Sequence, residues 1–269
     1  MTDAAEREAR RRWLDRLVPF MVALLVLGAW EAFVRIRAVP AYVIPAPSLV
    51  AQTLVTDWPI LWPALLVTLK VTFLALFLAV AGGAGLAFLF TLSPWVERSL
   101  YPFAIVLQVT PIVAIAPLLL IYAPDTLTAL LLCAWIVAFF PVLSNTVTGL
   151  RSADRHLQDL FTLYGATRAQ RLRHLLAPSA LPYFLAGIKI AGGLSLIGAV
   201  VAEFAAGTSG QESGLAYRIL EASFRLNVPR MFAALVLVSL CGIAIFALFN
   251  WLSKLLLGQW HESEMGEHR

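Results

Sequence analysis

Apolar residues along this chain fall into six long runs, at about 17–36, 63–92, 100–123, 126–150, 183–204 and 231–257, separated by polar connections. Each run holds enough residues for a helix to cross a hydrocarbon core about 30 Å thick. None alternates at every second position, as the strands of a membrane β-barrel must. The pattern therefore predicts an all-α membrane protein with six transmembrane helices. The first run follows the basic stretch REARRRWLDR, but it is too long for a secretory signal and no small-residue cleavage site follows it. It is expected to be a retained anchor. The short connection Ala123-Pro124-Asp125 makes the third and fourth spans a hairpin.

Composition agrees with this reading. Hydrophobic residues make up 60% of the 269 residues and charged residues 13%, with a mean hydropathy of +0.82, whereas soluble domains carry roughly 25% charged residues. A soluble protein is excluded. The net charge of +4 and pI near 9.3 raise the question of nucleic acid, but the basic residues gather beside the apolar runs, which points to topology within a lipid bilayer. No nucleic-acid partner is expected. With the N-terminus inside, the inner connections hold thirteen basic residues: Arg7, Arg10, Arg11, Arg12, Arg16, Arg98, Arg151, Arg155, Arg168, Arg171, Arg173, Lys254 and Arg269. The outer connections hold five, Arg35, Arg37, Arg218, Arg225 and Arg230. Because cytoplasmic loops carry the excess, both termini are expected in the cytoplasm. The domains follow: a basic cytoplasmic segment 1–16, a six-span domain 17–257 and a cytoplasmic tail 258–269. Cys133 and Cys241 lie within apolar runs and read as small buried hydrophobes, so neither a disulfide nor a metal site is expected.

Several polar positions interrupt the apolar pattern. In the first outer connection, Pro45 and Pro47 break the chain and Ser48 is placed to cap a short helix over 49–55; the segment 214–227 spaces its apolar residues as a second surface helix or a partly re-entrant one would, with an irregular loop as the alternative. The third span contains Gln108, Thr110, Pro111 and Pro117, and its prolines permit a bend. The fourth carries Trp135, Pro141 and Asn145. Gln108, Thr110, Trp135 and Asn145 are thus candidates for lining a path, with ordinary helix–helix hydrogen bonding as the plainer role. Gly187, Ala191, Ser195 and Ala199 recur every four residues on the fifth span, a stripe that lets another helix approach closely. Glu203 continues that face at the outer end, where it can reach water or pair across an interface. Lys70, Lys189 and Glu31 read as snorkelling side chains.

The connection between the fourth and fifth spans, 151–182, is long, basic and helical in composition. Gly165 divides it into two short helices, with Thr167 able to cap the second and Pro178 and Pro182 expected to close it. A helix–turn–helix on the inner face suits docking better than lining a pore. The spacing from Gly165 to Leu175, Ala177 and Pro178 resembles the EAA motif of permease subunits of bacterial ATP-binding-cassette importers, in which a glycine is followed ten residues later by Ile-x-Leu-Pro. The stretches TLKVTFLALFLAVAGGAGLAF and SALPYFLAGIKIAGGLSLIGAVVAEFAAG are similar to the nitrate/sulfonate/taurine-type branch, so the resemblance covers roughly residues 40 to 257. Where the motif has Glu-Ala-Ala, this chain has Asp159, Leu160 and Phe161, which implies a more apolar socket or a displaced helix.

The resemblance implies a binding-protein-dependent type I importer in the bacterial inner membrane. Two permease copies, most simply a homodimer, would pack together, a cytoplasmic ATPase pair would dock on the loop around Asp159, Leu160, Phe161, Gly165, Ala166, Leu175 and Pro178, and a periplasmic binding protein would deliver solute. The residues themselves support a division of labour. No Gly-x-x-x-x-Gly-Lys-Ser/Thr phosphate loop occurs in the sequence, so ATP and Mg are expected on a partner and no cofactor on this chain. The spans contain no paired carboxylates or histidine cluster for an intramembrane enzyme, and no internal repeat of the kind that marks an ion-coupled carrier. These remain the rivals of another class. For solute, the candidate lining offers amide and hydroxyl groups and one aromatic face, which suits a small neutral heterocycle. The third-span stretch QVTPIVAIAPLLLIY is similar to that of permeases for pyrimidine-type thiamine precursors or riboflavin-like molecules; the alternative is a nitrate, sulfonate or taurine importer.

Overall fold

A computed structural model describes residues 2–207 and 213–257, and the described residues are helices and their connections. The elements are α1 (Thr2–Ile36), α2 (Pro47–Thr56), α3 (Trp58–Leu92), α4 (Pro94–Val109), α5 (Ile112–Tyr122), α6 (Thr126–Arg151), α7 (Arg155–Leu163), α8 (Arg168–Arg171), a π turn (Leu172–Leu176), α9 (Ala177–Ala206), α10 (Leu215–Phe224) and α11 (Val228–Leu257). Among the described residues five stretches are long and apolar enough to cross a membrane, and the bent pair α4–α5 has the length and composition of a broken span or a re-entrant loop. α1 begins at Thr2, and its candidate membrane span covers Leu17–Ile36. The expected tail 258–269 lies outside the described residues.

The bend that the prolines of the third span permit is a full break. It falls at Thr110 and Pro111, and α4 and α5 meet at 103°. Pro111 has no N–H for the carbonyl of Leu107, so the ladder stops there. Thr110 bonds back instead: its amide and its hydroxyl both donate to the carbonyl of Val106, at 3.1 and 2.6 Å. Pro117 and Pro141, by contrast, sit inside continuing helices.

The centre of the bundle is α3, α6 and α9. In lipid, apolar burial supplies little drive for helices to associate, so close packing must do so. Gly187, Ala191, Ser195 and Ala199 are all buried, the last three fully. A Cβ at Gly187 would lie 2.9 Å from the Cβ of Asn145 and 3.0 Å from the carbonyl oxygen of Pro141, and one at Gly198 would lie 2.7 Å from the Cα of Ala134. At the other end of the same crossing Gly149 meets Ala180. The small residues of α9 therefore seat it against antiparallel α6 within this subunit. Cys133 of α6 and Cys241 of α11 are free and buried.

The bundle has two distinguishable ends. The α7–α8 hairpin marks one, where Arg151 at the end of α6 also pairs with Glu97 of α4. The opposite, far end carries α2 and α10, and carboxylates fix it. Glu31 of α1 accepts the amide of Ser48 at 3.0 Å and its hydroxyl at 2.7 Å, and is paired with Arg35. Ser48 is therefore not the cap expected from sequence; the N-cap is Ala46, and Glu31 serves the start of α2 from another helix. Asp57, between α2 and α3, pairs with Arg230 at the start of α11 at 2.5 Å, both largely shielded from solvent. Asp125 caps α6 through the amide and hydroxyl of Thr128, which hold its carboxyl below the ordinary carboxylate range. Lys189 donates to Asn250 of α11 at 2.8 Å and lies 4.4 Å over the ring of Phe246, so its role is interhelical bonding in place of the expected snorkelling.

Candidate functional site

The expected docking segment folds as a tight helical hairpin. Asp154 starts α7 by accepting the amide of His156 at 2.6 Å. The helix ends in a Schellman motif: the amide of Ala166 donates to the carbonyl of Phe161 at 2.9 Å and that of Gly165 to Thr162 at 3.0 Å. This closure requires a left-handed residue, and Gly165 adopts φ +68°. Thr167 then opens α8 with a capping box, its hydroxyl accepting the amide of Gln170 while the Gln170 side chain accepts the amide of Thr167 at 2.8 Å. Arg171 reaches back across the turn to the hydroxyl of Thr162 at 2.6 Å. Stop, turn and restart are all specified within a few residues, so the hairpin is rigid.

The second half differs from expectation. Pro178 and Pro182 do not close a short helix: α8, the π turn and α9 form one unbroken stretch of 39 residues, Arg168–Ala206. The amide of Ala177 reaches the carbonyl of Leu172, and this widened turn makes room for the ring of Pro178, which would otherwise collide with the carbonyl of His174. The hairpin is thereby fused to the central helix of the bundle.

Its side chains divide into two sets. Phe161, Leu172, Leu175 and Leu176 pack into the core formed with α3, α4 and α6. Asp159, Gly165 and Pro178 are exposed, and Ala166 is half-buried. Leu163 and Tyr164 stand out at the tip, 84% and 83% exposed. Leu160, Phe161, Tyr164, Ala166, Gln170 and His174 line a groove of about 410 Å³. The departures Leu160 and Phe161 thus play different parts, one lining the groove and the other reaching inward as well. Leu163 and Tyr164 were not singled out from the sequence; their signal is two large apolar residues immediately before the glycine that forces the turn.

The expected path residues are scattered. Gln108 is exposed beside the break between α4 and α5, and Thr110 is at the break itself. Trp135 packs on Phe139 at 5.0 Å between centroids. Asn145 donates to the carbonyl of Pro141 at 2.8 Å, at the α6–α9 crossing. The first two are adjacent at the break, and Asn145 belongs with the packing contact. Among the described residues no group of three or more metal-ligating side chains occurs.

Among the described residues, long apolar helices interrupted by a rigid exposed hairpin give the architecture of a multi-pass membrane protein. Residues 79–257 match the family described as the binding-protein-dependent transport system inner membrane component, and the chain belongs to it. It is an importer permease of the ATP-binding-cassette class, a multi-pass membrane protein. It is 31% identical over 255 residues to the formylaminopyrimidine transport permease protein ThiX of Halalkalibacterium halodurans, covering 94% of this chain and 100% of that one. It is 35% identical over 248 residues to the riboflavin transport system permease protein RibX of Chloroflexus aurantiacus, covering 89% and 88%. A solved structure, described as the crystal structure of an amino acid ABC transporter with histidines, shares the fold at a TM-score of 0.61 and 21% identity, over 76% of this chain and 97% of that one.

Proposed function

We propose that the chain, acting as two copies in a bacterial inner membrane with both termini in the cytoplasm, forms the path for a small neutral heterocycle and couples its import to a separate ATPase. A periplasmic binding protein delivers the solute. Nucleotide chemistry belongs to the partner ATPase, and this chain works as a lever. The observation that carries the coupling role is the hairpin. It presents exposed Leu163 and Tyr164 and the groove beside them, and it is continuous with α9. A docked ATPase that moves the hairpin must therefore move α9, without a flexible joint to absorb the displacement. The excess of basic residues on the hairpin side supports placing that side in the cytoplasm.

The break between α4 and α5 supports a path role for Gln108 and Thr110. Backbone carbonyls freed at membrane depth are tolerated where they are buried in protein or face water, and Gln108 is exposed next to them. The heterocycle reading draws on the weakly polar candidate lining and on the transport roles named for the two relatives. It is tested by titrating the cognate binding protein with formylaminopyrimidine, riboflavin, taurine and nitrate. Binding of a heterocycle alone is expected; binding of taurine or nitrate alone would replace the solute assignment.

A further inference from the structure

Glu203 occupies the last turn of α9 and is 3% exposed. Its carboxylate does not snorkel. One oxygen accepts the hydroxyl of Thr68 on α3 at 2.7 Å, and the other accepts the amide of Ala216 in α10 at 2.9 Å. The Thr68 oxygen in turn accepts the amide of Leu215 at 2.9 Å. Two of the otherwise unpaired amides at the start of α10 thus end on one carboxylate–hydroxyl pair supplied by α9 and α3. The backbone is pressed so close that any Cβ at Gly214 would overlap the carboxylate. Beside it, Leu61, Leu65, Leu196 and Leu215 form part of an apolar cluster. A carboxylate so enclosed is costly unless its contacts are needed.

The same rod that ends in Glu203 begins in the hairpin. At about 1.5 Å of rise per residue, the two lie roughly 50 Å apart along it. We infer that Glu203 and Thr68 form a latch that makes α10 move with α9, so that displacement delivered at the hairpin repositions the helix covering the far face. Glu203 and Thr68 are positioning residues for coupling, and this role rests on the hairpin being the ATPase dock.

The test uses the permease reconstituted with its ATPase and binding protein, comparing wild type with Thr68→Val, Thr68→Ser and Glu203→Gln. One readout is solute transported per ATP hydrolysed. The other is the maleimide labelling rate of Leu215→Cys, with Cys133 and Cys241 changed to Ala in every protein. The latch predicts that Thr68→Val and Glu203→Gln each lower the transport ratio and raise the labelling rate about tenfold, the change in release of α10 implied by losing a charge-assisted hydrogen bond. Thr68→Ser should behave as wild type. A packing role for Thr68 predicts the reverse order, since Val keeps its shape and Ser loses a methyl group. That reverse order, or a wild-type ratio in all three variants, would overturn the latch. Retention of the ATPase in a pull-down separates the two readings: failure of the wild type to retain it refutes the dock, whereas the labelling rates are read on the permease itself and judge the latch regardless.

Discussion

Gly165 concentrates the demands of the hairpin in one residue: φ +68°, a donated amide, and a position directly after the exposed Leu163 and Tyr164. A β-branched residue in left-handed backbone costs about 1–2 kcal/mol, and proline also removes the bond to Thr162. Gly165→Pro is therefore expected to abolish ATPase retention in a pull-down, and Gly165→Val to weaken it severalfold. Gly165→Asn, which tolerates the left-handed region, should retain it. Insertion into the membrane, read from the amount of full-length permease in washed membranes, should be unchanged in all three. Asp125 offers a test with a pH sign. Its folded carboxyl is held below its ordinary value by Thr128, so the stabilisation is full above the unfolded value and is lost as pH falls through the folded one. Asp125→Ala should lower the Tm in detergent at neutral pH, and the difference from wild type should shrink on acidification through that window. An unchanged difference at all pH values would show that the cap contributes through something other than its charge.

The α6–α9 crossing is set by small residues, and glycines on one helix should respond oppositely according to what they face. A side chain at Gly198 meets the backbone of Ala134, and overpacking of this kind costs about 1–3 kcal/mol. A side chain at Gly193 meets nothing within 4 Å, and replacing a helix-interior glycine with alanine gains about 0.5–1 kcal/mol. Gly198→Val should thus lower the Tm in detergent and Gly193→Ala should raise it. Equal shifts would mean that the crossing has room for a side chain at Gly198. Much at this scale was legible in the sequence, because run length alone marks a span and Gly165 with Thr167 marks a turn with its restart. The far-end caps were not legible. Ser48 looks like a local cap, but Glu31, distant in sequence, takes its amide; a chemically adequate local partner was displaced by tertiary packing. Nor did the prolines declare themselves. Pro111 breaks a helix while Pro182 is absorbed by one, because the outcome depends on neighbouring turns: Thr110 can satisfy its own helix end, and the π turn relieves the strain before Pro178.

At the scale of the whole molecule, a single helical stretch carries the exposed hairpin at one end and the Glu203 contacts to α3 and α10 at the other. α1 stands apart from the rest, joined chiefly at its far end by Glu31 to Ser48 and by Trp30 packing on Phe232 at 5.7 Å, and it leaves a long apolar surface including Phe20, Leu24 and Leu25 exposed. A single copy also leaves the break between α4 and α5 largely uncovered. Cross-linking or mass measurement of the purified complex should give two permeases per ATPase pair, and one permease per pair would contradict the dimeric path. Whether ATP hydrolysis acts on this chain through the hairpin is measured by ATP-driven uptake in vesicles containing the ATPase and binding protein. Wild-type permease should be compared with Tyr164→Asp, which places a charge on the exposed tip without disturbing the Schellman or capping bonds. Wild type is expected to import solute only with ATP, and the variant to lose both ATPase retention and uptake while remaining folded in the membrane. Uptake that continues undiminished in the variant, or proceeds in the wild type without ATP, would contradict coupling through the hairpin.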